Sequence, residues 1–306
     1  MFTDRKQELP FDDSIKFFPN YSDIDKMLAY AILGGNPLYL RQFKPNLTLN
    51  ENTLKYILTK GCNLYSEVGF LLKQKLKDPK PYNTILETIA LGSTTLNDIC
   101  TKTKMGKTKI SLYLKTLIKL EIVEHEFPMP INTKTQTNSE KGLYHIKNNF
   151  FRFWFYFASP HMADLETGNS AKVLEHIVLP QLDSFTAPVF ENVCREYLLE
   201  LNRNNKLSFN IAKLGKWWGT LDGAQTKIDI VAKDAMSKTY ILGKCTFQNT
   251  KMNINDLEIL KTKAELIEKS ANIQYILFSK SGFSENLVSE TAKDDRLTLL
   301  SLTRMN

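Results

Sequence analysis

The sequence predicts an α+β multidomain protein, helical but for one two-stranded ribbon as far as residue 201 and then alternating between strands and helices. Three observations predict it. Up to residue 201, apolar residues recur at three- and four-residue spacing in stretches bounded by Gly, Pro or a capping residue. Beyond that point the period shortens to two at 208–211, 227–232, 239–246, 274–279 and 297–302, with helical spacing at 255–269 and 283–292. The length of 306 residues suits two or three domains, and 42% hydrophobic with 24% charged residues supplies a sizeable core.

Residues 1–20 are polar and irregular, punctuated by Pro10 and Pro19. Ser22 is placed to cap a helix over 23–33 with Ile24, Met27, Leu28 and Ile32 on one stripe. Gly34-Gly35 ends it and Pro37 bars its continuation. A short helical piece from Leu38 and helices over 52–59 and 65–76 complete a helical bundle, residues 1–80, with no catalytic constellation.

Pro81 opens the next unit, residues 81–147. Helices fit 82–90, 95–100 and 108–120, and strands fit 121–127 and 143–146 on either side of a polar loop over 132–142. Three helices followed by a two-stranded ribbon predict a winged helix-turn-helix, with the third helix as the recognition helix. Between Lys102 and Lys119 there are six lysines and no acid. Lysines at a helix N-terminus suit phosphates, so Lys104, Lys107, Lys109 and Lys115 are the expected DNA contacts. The net charge of +7 agrees with a polyanion partner. Met105-Gly106-Lys107-Thr108 is not a phosphate-binding P-loop. The motif needs a glycine where Thr101 stands and a hydrophobic strand before it, so Gly106 is expected to take the tight bend of a helix-turn-helix instead.

Residues 148–185 are an aromatic-rich connector whose run Phe150 to Phe157 must be buried, followed by a helix over 169–179. Thr186 is expected to cap a helix over 188–201 with Pro188 in its first turn. From there to residue 306 the order helix, three strands, helix, strand predicts a restriction-endonuclease-like α/β core. In 227–232 alternation puts Ile228, Ile230 and Ala232 on one face and Lys227, Asp229 and Val231 on the other.

Cutting a phosphodiester with Mg²⁺ needs two or three carboxylates around the ion and a lysine beside it. This chain offers Asp229 on a strand and Glu191 on the preceding helix. Where the next strand should carry an acid and then a lysine it has Lys244-Cys245-Thr246. Lys227 and Lys244 are expected to face Asp229 and to displace a cation electrostatically. Asp222, Asp234 and Glu258 are the remaining acids that could complete a set. The centre is therefore expected to be vestigial. Trp217-Trp218 is expected to pack in the core and at its rim.

Four widely spaced cysteines without a CxxC and four scattered histidines point to reduced thiols and no zinc. The N-terminus has no secretory h-region, and no apolar run is long enough to span a bilayer, so a cytoplasmic protein is expected.

Several motifs together resemble the C-terminal part of the archaeal-type ATPases, AAA-like proteins also found in bacteria. The residues are Tyr30-Ala31-Ile32-Leu33-Gly34-Gly35-Asn36-Pro37-Leu38-Tyr39-Leu40, Tyr82-Asn83-Thr84-Ile85-Leu86 and Ile110-Ser111-Leu112-Tyr113-Leu114. Phe153-Trp154-Phe155-Tyr156-Phe157, Phe190-Glu191-Asn192-Val193-Cys194-Arg195-Glu196, Trp217-Trp218, Ile228-Asp229-Ile230-Val231-Ala232 and Phe278-Ser279-Lys280-Ser281-Gly282-Phe283 continue the likeness. It implies a helical lid, a winged helix and a nuclease-like tail. The family's P-loop domain has no counterpart in these residues, so a truncated or split member is expected, with no ATP bound. The family's acidic strand motifs are replaced at Lys227 and Lys244, which leaves Glu191, Asp229 and Lys244 as vestiges. The expected function is non-catalytic: binding DNA, or docking on a separate P-loop ATPase chain. A residual Mg²⁺-dependent nuclease and a protein-interaction module without nucleic-acid binding are the alternatives. No cofactor is expected, with Mg²⁺ required only by the first alternative.

Overall fold

A computed structural model describes residues 8–130, 142–221, 223–236, 238–267 and 271–305. The chain divides into two compact units, residues 1–126 with 142–182, and residues 127–141 with 183–306. The architecture is mixed α+β: a helical N-terminal region with a two-stranded sheet, and a five-stranded mixed sheet.

In the first unit a short helical segment, Phe11–Ser14, precedes α1 (Asp23–Leu33), which is capped by Ser22, whose hydroxyl accepts from the Asp25 N–H at 3.1 Å. Its Met27, Leu28, Ile32 and Leu33 are buried, whereas Ile24, on the same stripe but in the first turn, is exposed. The helix stops at Gly34, and Asn36 caps α2 (Pro37–Leu40), whose first residue is a proline, as the Gly-Gly-Asn-Pro run dictates. Gly35 answers a separate requirement. A Cβ there would stand 2.0 Å from the Leu9 carbonyl oxygen and 2.7 Å from the Leu9 nitrogen. The Leu9 N–H donates to the Gly35 carbonyl at 2.9 Å, and the docked segment seats the buried Phe11. Gly35→Ala is expected to destabilise the unit by about 1–3 kcal/mol through this backbone clash. A lowered urea midpoint with an unchanged slope is the expected result; an unmoved midpoint would show that the segment is not seated there.

Short helical pieces α3 (Leu49–Thr53) and α4 (Glu67–Lys75) follow. Next come α5 (Lys80–Ala90), α6 (Leu96–Thr103) and α7 (Lys107–Lys119), then an antiparallel ribbon of β1 (Val123–Glu126) and β2 (Leu143–Ile146) with Val123 opposite Ile146. Ile85, Leu86, Ile89, Ile99, Ile110, Leu114 and Leu117 bury the inner stripes of the three helices. The α6–α7 bend falls on Lys104, at φ 56, and not on Gly106, which is the extended N-cap of α7 at φ −65. Gly106 therefore needs no left-handed freedom. The loop expected over 132–142 lies, but for its last residue, outside the described residues. The aromatic stretch forms α8 (Asn149–Phe153) and a π-helical turn Trp154–Ala158. Phe150, Phe151, Phe153, Trp154, Phe155 and Phe157 are all buried, as their density requires.

The expected helix start at Thr186 is replaced by one continuous helix, α9 (Leu179–Arg203), with Pro188 in its interior. Leu182 and Phe185 are buried one turn earlier, and their packing outweighs the proline's lost hydrogen bond. The Thr186 hydroxyl is buried without a partner and caps nothing.

In the second unit, residues 208–211 do not form the expected strand. They stay exposed or half-buried, and the Ile211 N–H donates to the Asn202 side chain at 2.8 Å. The first strand is β3 (Lys213–Leu221), which carries both tryptophans. β4 (Ala224–Lys233) and β5 (Thr239–Thr246) continue antiparallel. Helix α10 (Ile254–Lys263) leads to β6 (Asn272–Ser279), and α11 (Glu285–Glu290) leads to β7 (Leu297–Ser301). β5, β6 and β7 are parallel, as crossover helices require, and the sheet order is β3-β4-β5-β6-β7. Trp217, Ile228, Val231, Leu242 and Leu277 share one core with Leu257 and Leu260 of α10 and Leu287 of α11. Phe190 of α9 meets Phe247 at 5.3 Å between ring centres, and Tyr197 of α9 meets Phe278. At the centre of the sheet, a Cβ on Gly243 would lie 2.8 Å from Ile230 Cβ and 2.9 Å from Ile276 Cγ2, so only glycine fits.

Candidate functional site

Two clusters hold the residues singled out by the sequence, one in each unit.

In the first unit, Lys102, Lys104, Lys107, Lys109, Lys115 and Lys119 are all exposed, because the inner stripe of α7 is taken by Ile110, Leu114 and Leu117. Around the helix, Thr108, Leu112, Lys115 and Lys119 project opposite that stripe, and Lys107 opens the first turn. No acid stands in the first turn, so the positive end of the helix dipole and the lysine charges add. The Lys109 ammonium rests 5.8 Å from the centre of the Tyr113 ring, which itself packs edge-on against Tyr82. Leu112 stands 64% exposed among these lysines.

In the second unit, β4 departs from simple alternation. Val231 pairs with Gly215, but Ile228 pairs with Trp217, so the single residue Lys216 spans both Asp229 and Ile230. This β-bulge corrects the expected face assignment: Ile228 and Val231 share the core that faces α10, and five consecutive residues, 228–232, are buried. Asp229 is turned instead toward Glu191 of α9. The two carboxylates are bridged by one ammonium: Lys227 Nζ lies 2.7 Å from Glu191 Oε1 and 2.9 Å from Asp229 Oδ1. The contact to Glu191 is a hydrogen bond, whereas Oδ1 of Asp229 has close charge contact without hydrogen-bond alignment. Charge attraction is not directional, so the ion pair holds at this distance without that alignment. Asp229 Oδ2 accepts from the Cys245 N–H at 3.0 Å, and the Asp229 carbonyl accepts from Arg195 at 3.1 Å. The Lys227 carbonyl accepts from the Lys263 ammonium at 2.6 Å.

The electrostatics follow from these positions. Burial raises the Glu191 carboxyl above its ordinary range and the Asp229 charge raises it further, with Lys227 opposing both. For Lys227, burial alone would lower the pKa, but the two carboxylates outweigh burial and hold the ammonium charged well above its ordinary range. Buried Cys194 and half-buried Cys245 stand beside this cluster, and burial pushes both thiols up.

Lys244 does not face Asp229. Its ammonium is 2.6 Å from Asp256 Oδ1, and Asp256 Oδ2 accepts from the Asn253 N–H at 2.8 Å, so Lys244 pairs with the acid of the capping box at the start of α10. Of the other acids weighed, Asp234 accepts from the Lys238 N–H, Glu258 sits 3.6 Å from Lys261, and Asp222 lies outside the described residues. Among the described residues, no three His, Cys, Asp or Glu side chains come together as a metal-holding group. Trp217 is in the core, and Trp218 is half-buried with the Lys216 ammonium 6.0 Å from its ring. Sequence reasoning missed Arg195 and Lys263. Arg195 was signalled by its place one helical turn after Glu191; Lys263 carried no local signal, because it reaches the site only through folding of α10.

Residues 154–258 match the model of the DUF234 family, described as archaea bacterial proteins of unknown function. That span contains Glu191, Lys227, Asp229, Lys244 and Asp256. The chain is 31% identical over 262 residues to the uncharacterized protein MJECL04 of Methanocaldococcus jannaschii, covering 86% of this chain and 56% of the relative. The chain thus spans about half the length of the curated relative it matches. Among solved structures it is similar to protein VC1899 from Vibrio cholerae, at 12% identity and a TM-score of 0.31, over 98% of this chain and 59% of the other. No helix of the described residues is long and apolar enough to cross a membrane.

Proposed function

We propose that this protein binds duplex DNA through the α7 lysine face without cutting it. The observation that carries the proposal is the set of six exposed lysines, 102, 104, 107, 109, 115 and 119, on a stretch with no acid. Taken as a winged helix-turn-helix, α5–α7 with the β1–β2 ribbon makes α7 the recognition helix. Ammonium groups at such a helix neutralise phosphates and release condensed counterions. The face has no Arg, Asn or Gln among its projecting residues, so it favours affinity over base discrimination.

The test is an anisotropy titration of a labelled duplex at increasing salt. With four or five phosphates neutralised, the logarithm of affinity is expected to fall against the logarithm of salt with a slope of about −4. A slope near zero would overturn the proposal. The second unit is proposed to be a nuclease-like scaffold without the chemistry, since its two carboxylates are bridged by an ammonium. Plasmid incubated with Mg²⁺ or Mn²⁺ is expected to remain supercoiled with the wild type and with Asp229→Ala alike.

One observation favours a second reading, docking on a protein such as the P-loop ATPase chain that the ATPase resemblance implies. Leu112 is 64% exposed in the middle of the lysine face. Leu112→Ala would then abolish partner capture, whereas the DNA reading expects its effect to be small beside loss of the lysines.

A further inference from the structure

We propose that Lys227 is a tethered cation standing in the place of a divalent metal between Glu191 and Asp229, and that removing its ammonium uncovers a site for Mg²⁺ or Mn²⁺. The inference is independent of DNA binding, so failure of the duplex titration leaves it untouched.

Two carboxylates alone do not make a metal site. Here three further observations bear on them. First, both are nearly buried, with side chains 10% and 8% exposed, and a single ammonium lies 2.7 and 2.9 Å from one oxygen of each. Second, Asp229 is held from behind: its Oδ2 is fixed by the Cys245 N–H, so its Oδ1 must point at whatever occupies the space between the acids. Third, that buried Oδ1 receives no aligned hydrogen bond, although the ammonium is within 3 Å. The contact at that oxygen is one of charge, which a metal ion also supplies. The β-bulge at Asp229 and the continuous α9 hold the two carboxylates independently of Lys227.

The ammonium and a metal are mutually exclusive. A hard divalent ion needs carboxylate oxygens at about 2.0–2.1 Å for Mg²⁺ and cannot share that space with a positive nitrogen. The Lys227 side chain is 63% exposed, so its stem reaches the acids from the solvent side. Truncating it opens a wet slot, not a dry cavity, and leaves room for the waters that complete an octahedral shell. The carboxylates' own chemistry, two hard oxygen donors and bound water, suits Mg²⁺ or Mn²⁺ better than soft-ligand metals. Lys216 and Lys263 remain nearby and limit affinity to the millimolar range, roughly, for a two-carboxylate site.

The test follows the thermal midpoint of the full chain with 0 to 10 mM MnCl₂ in the wild type, Lys227→Ala, Lys227→Gln, and Lys227→Ala combined with Asp229→Asn. Lys227→Gln keeps the length and removes the charge, so it serves if the alanine variant fails to fold. The wild-type midpoint is expected not to move. Either Lys227 variant is expected to rise by about 2–4 °C at saturating Mn²⁺, and the double variant to lose that rise. Mn²⁺ titration followed by electron paramagnetic resonance should show one bound ion per chain in the single variants only. The proposal is overturned if the wild type binds Mn²⁺ equally well, if neither single variant responds, or if the response survives Asp229→Asn.

Discussion

Lys227→Ala is expected to destabilise the second unit by about 2–4 kcal/mol at neutral pH, because it leaves two nearly buried carboxylates facing each other without their shared cation. The loss stays below the upper end for a buried pair because the lysine side chain is largely exposed and its charge partly screened. The loss should depend on pH, with a definite sign. The folded-state pKa of Glu191 is raised above its ordinary value of 4.5, by burial first and by Asp229 second. The folded protein thus holds that proton more tightly than the unfolded chain. The contribution of Glu191 favours folding in acid and falls as pH rises from about 4.5 through the raised value. Lys227 lowers the Glu191 pKa, so its removal raises it further and widens that window. The stability gap between wild type and variant is therefore expected to be full near pH 7.5 and to narrow toward pH 5, as Glu191 takes up its proton. Thermal or urea unfolding at the two pH values measures it. A gap of constant size would show that Lys227 acts through packing of its stem and not through charge.

Replacing Lys107, Lys109 and Lys115 together by alanine is expected to weaken duplex binding by about 100-fold at low salt and to flatten the salt slope by about 3. All three are exposed, and their replacement should leave stability within about 0.5 kcal/mol. The loss should be similar for duplexes of different sequence, because the lost contacts are with phosphates. An unchanged slope would place the DNA contacts elsewhere, or remove them.

The helical half was largely legible in the sequence. Ser22, Gly34-Gly35 and Asn36-Pro37 bound their helices at the positions their chemistry dictates, and the apolar stripes of α5 and α7 are buried but for Ile118, which is exposed. Capping and amphipathic spacing are local, so a single strand of sequence carries them. The differences arose where tertiary packing outweighed a local signal. Thr186 and Pro188 have the spacing of a helix start, but buried Leu182 and Phe185 carry the helix through the proline. Residues 208–211 have strand-like spacing but no partner strand, and the ladder begins at Lys213 instead.

By itself the sequence determined the α+β order, the basic and acid-free face of α7, and the presence of Glu191 and Asp229 without the usual second-strand acid. Only the tertiary structure decided which lysine meets them. Both Lys227 and Lys244 were candidates by spacing. The β-bulge sets Asp229 off the face of its neighbours, and the capping box of α10 draws Lys244 to Asp256, leaving Lys227 alone between the two acids. A bulge is a mismatch between two strands and a cap is the end of a helix that must pack, so neither partner choice is written in the strand that carries the lysine.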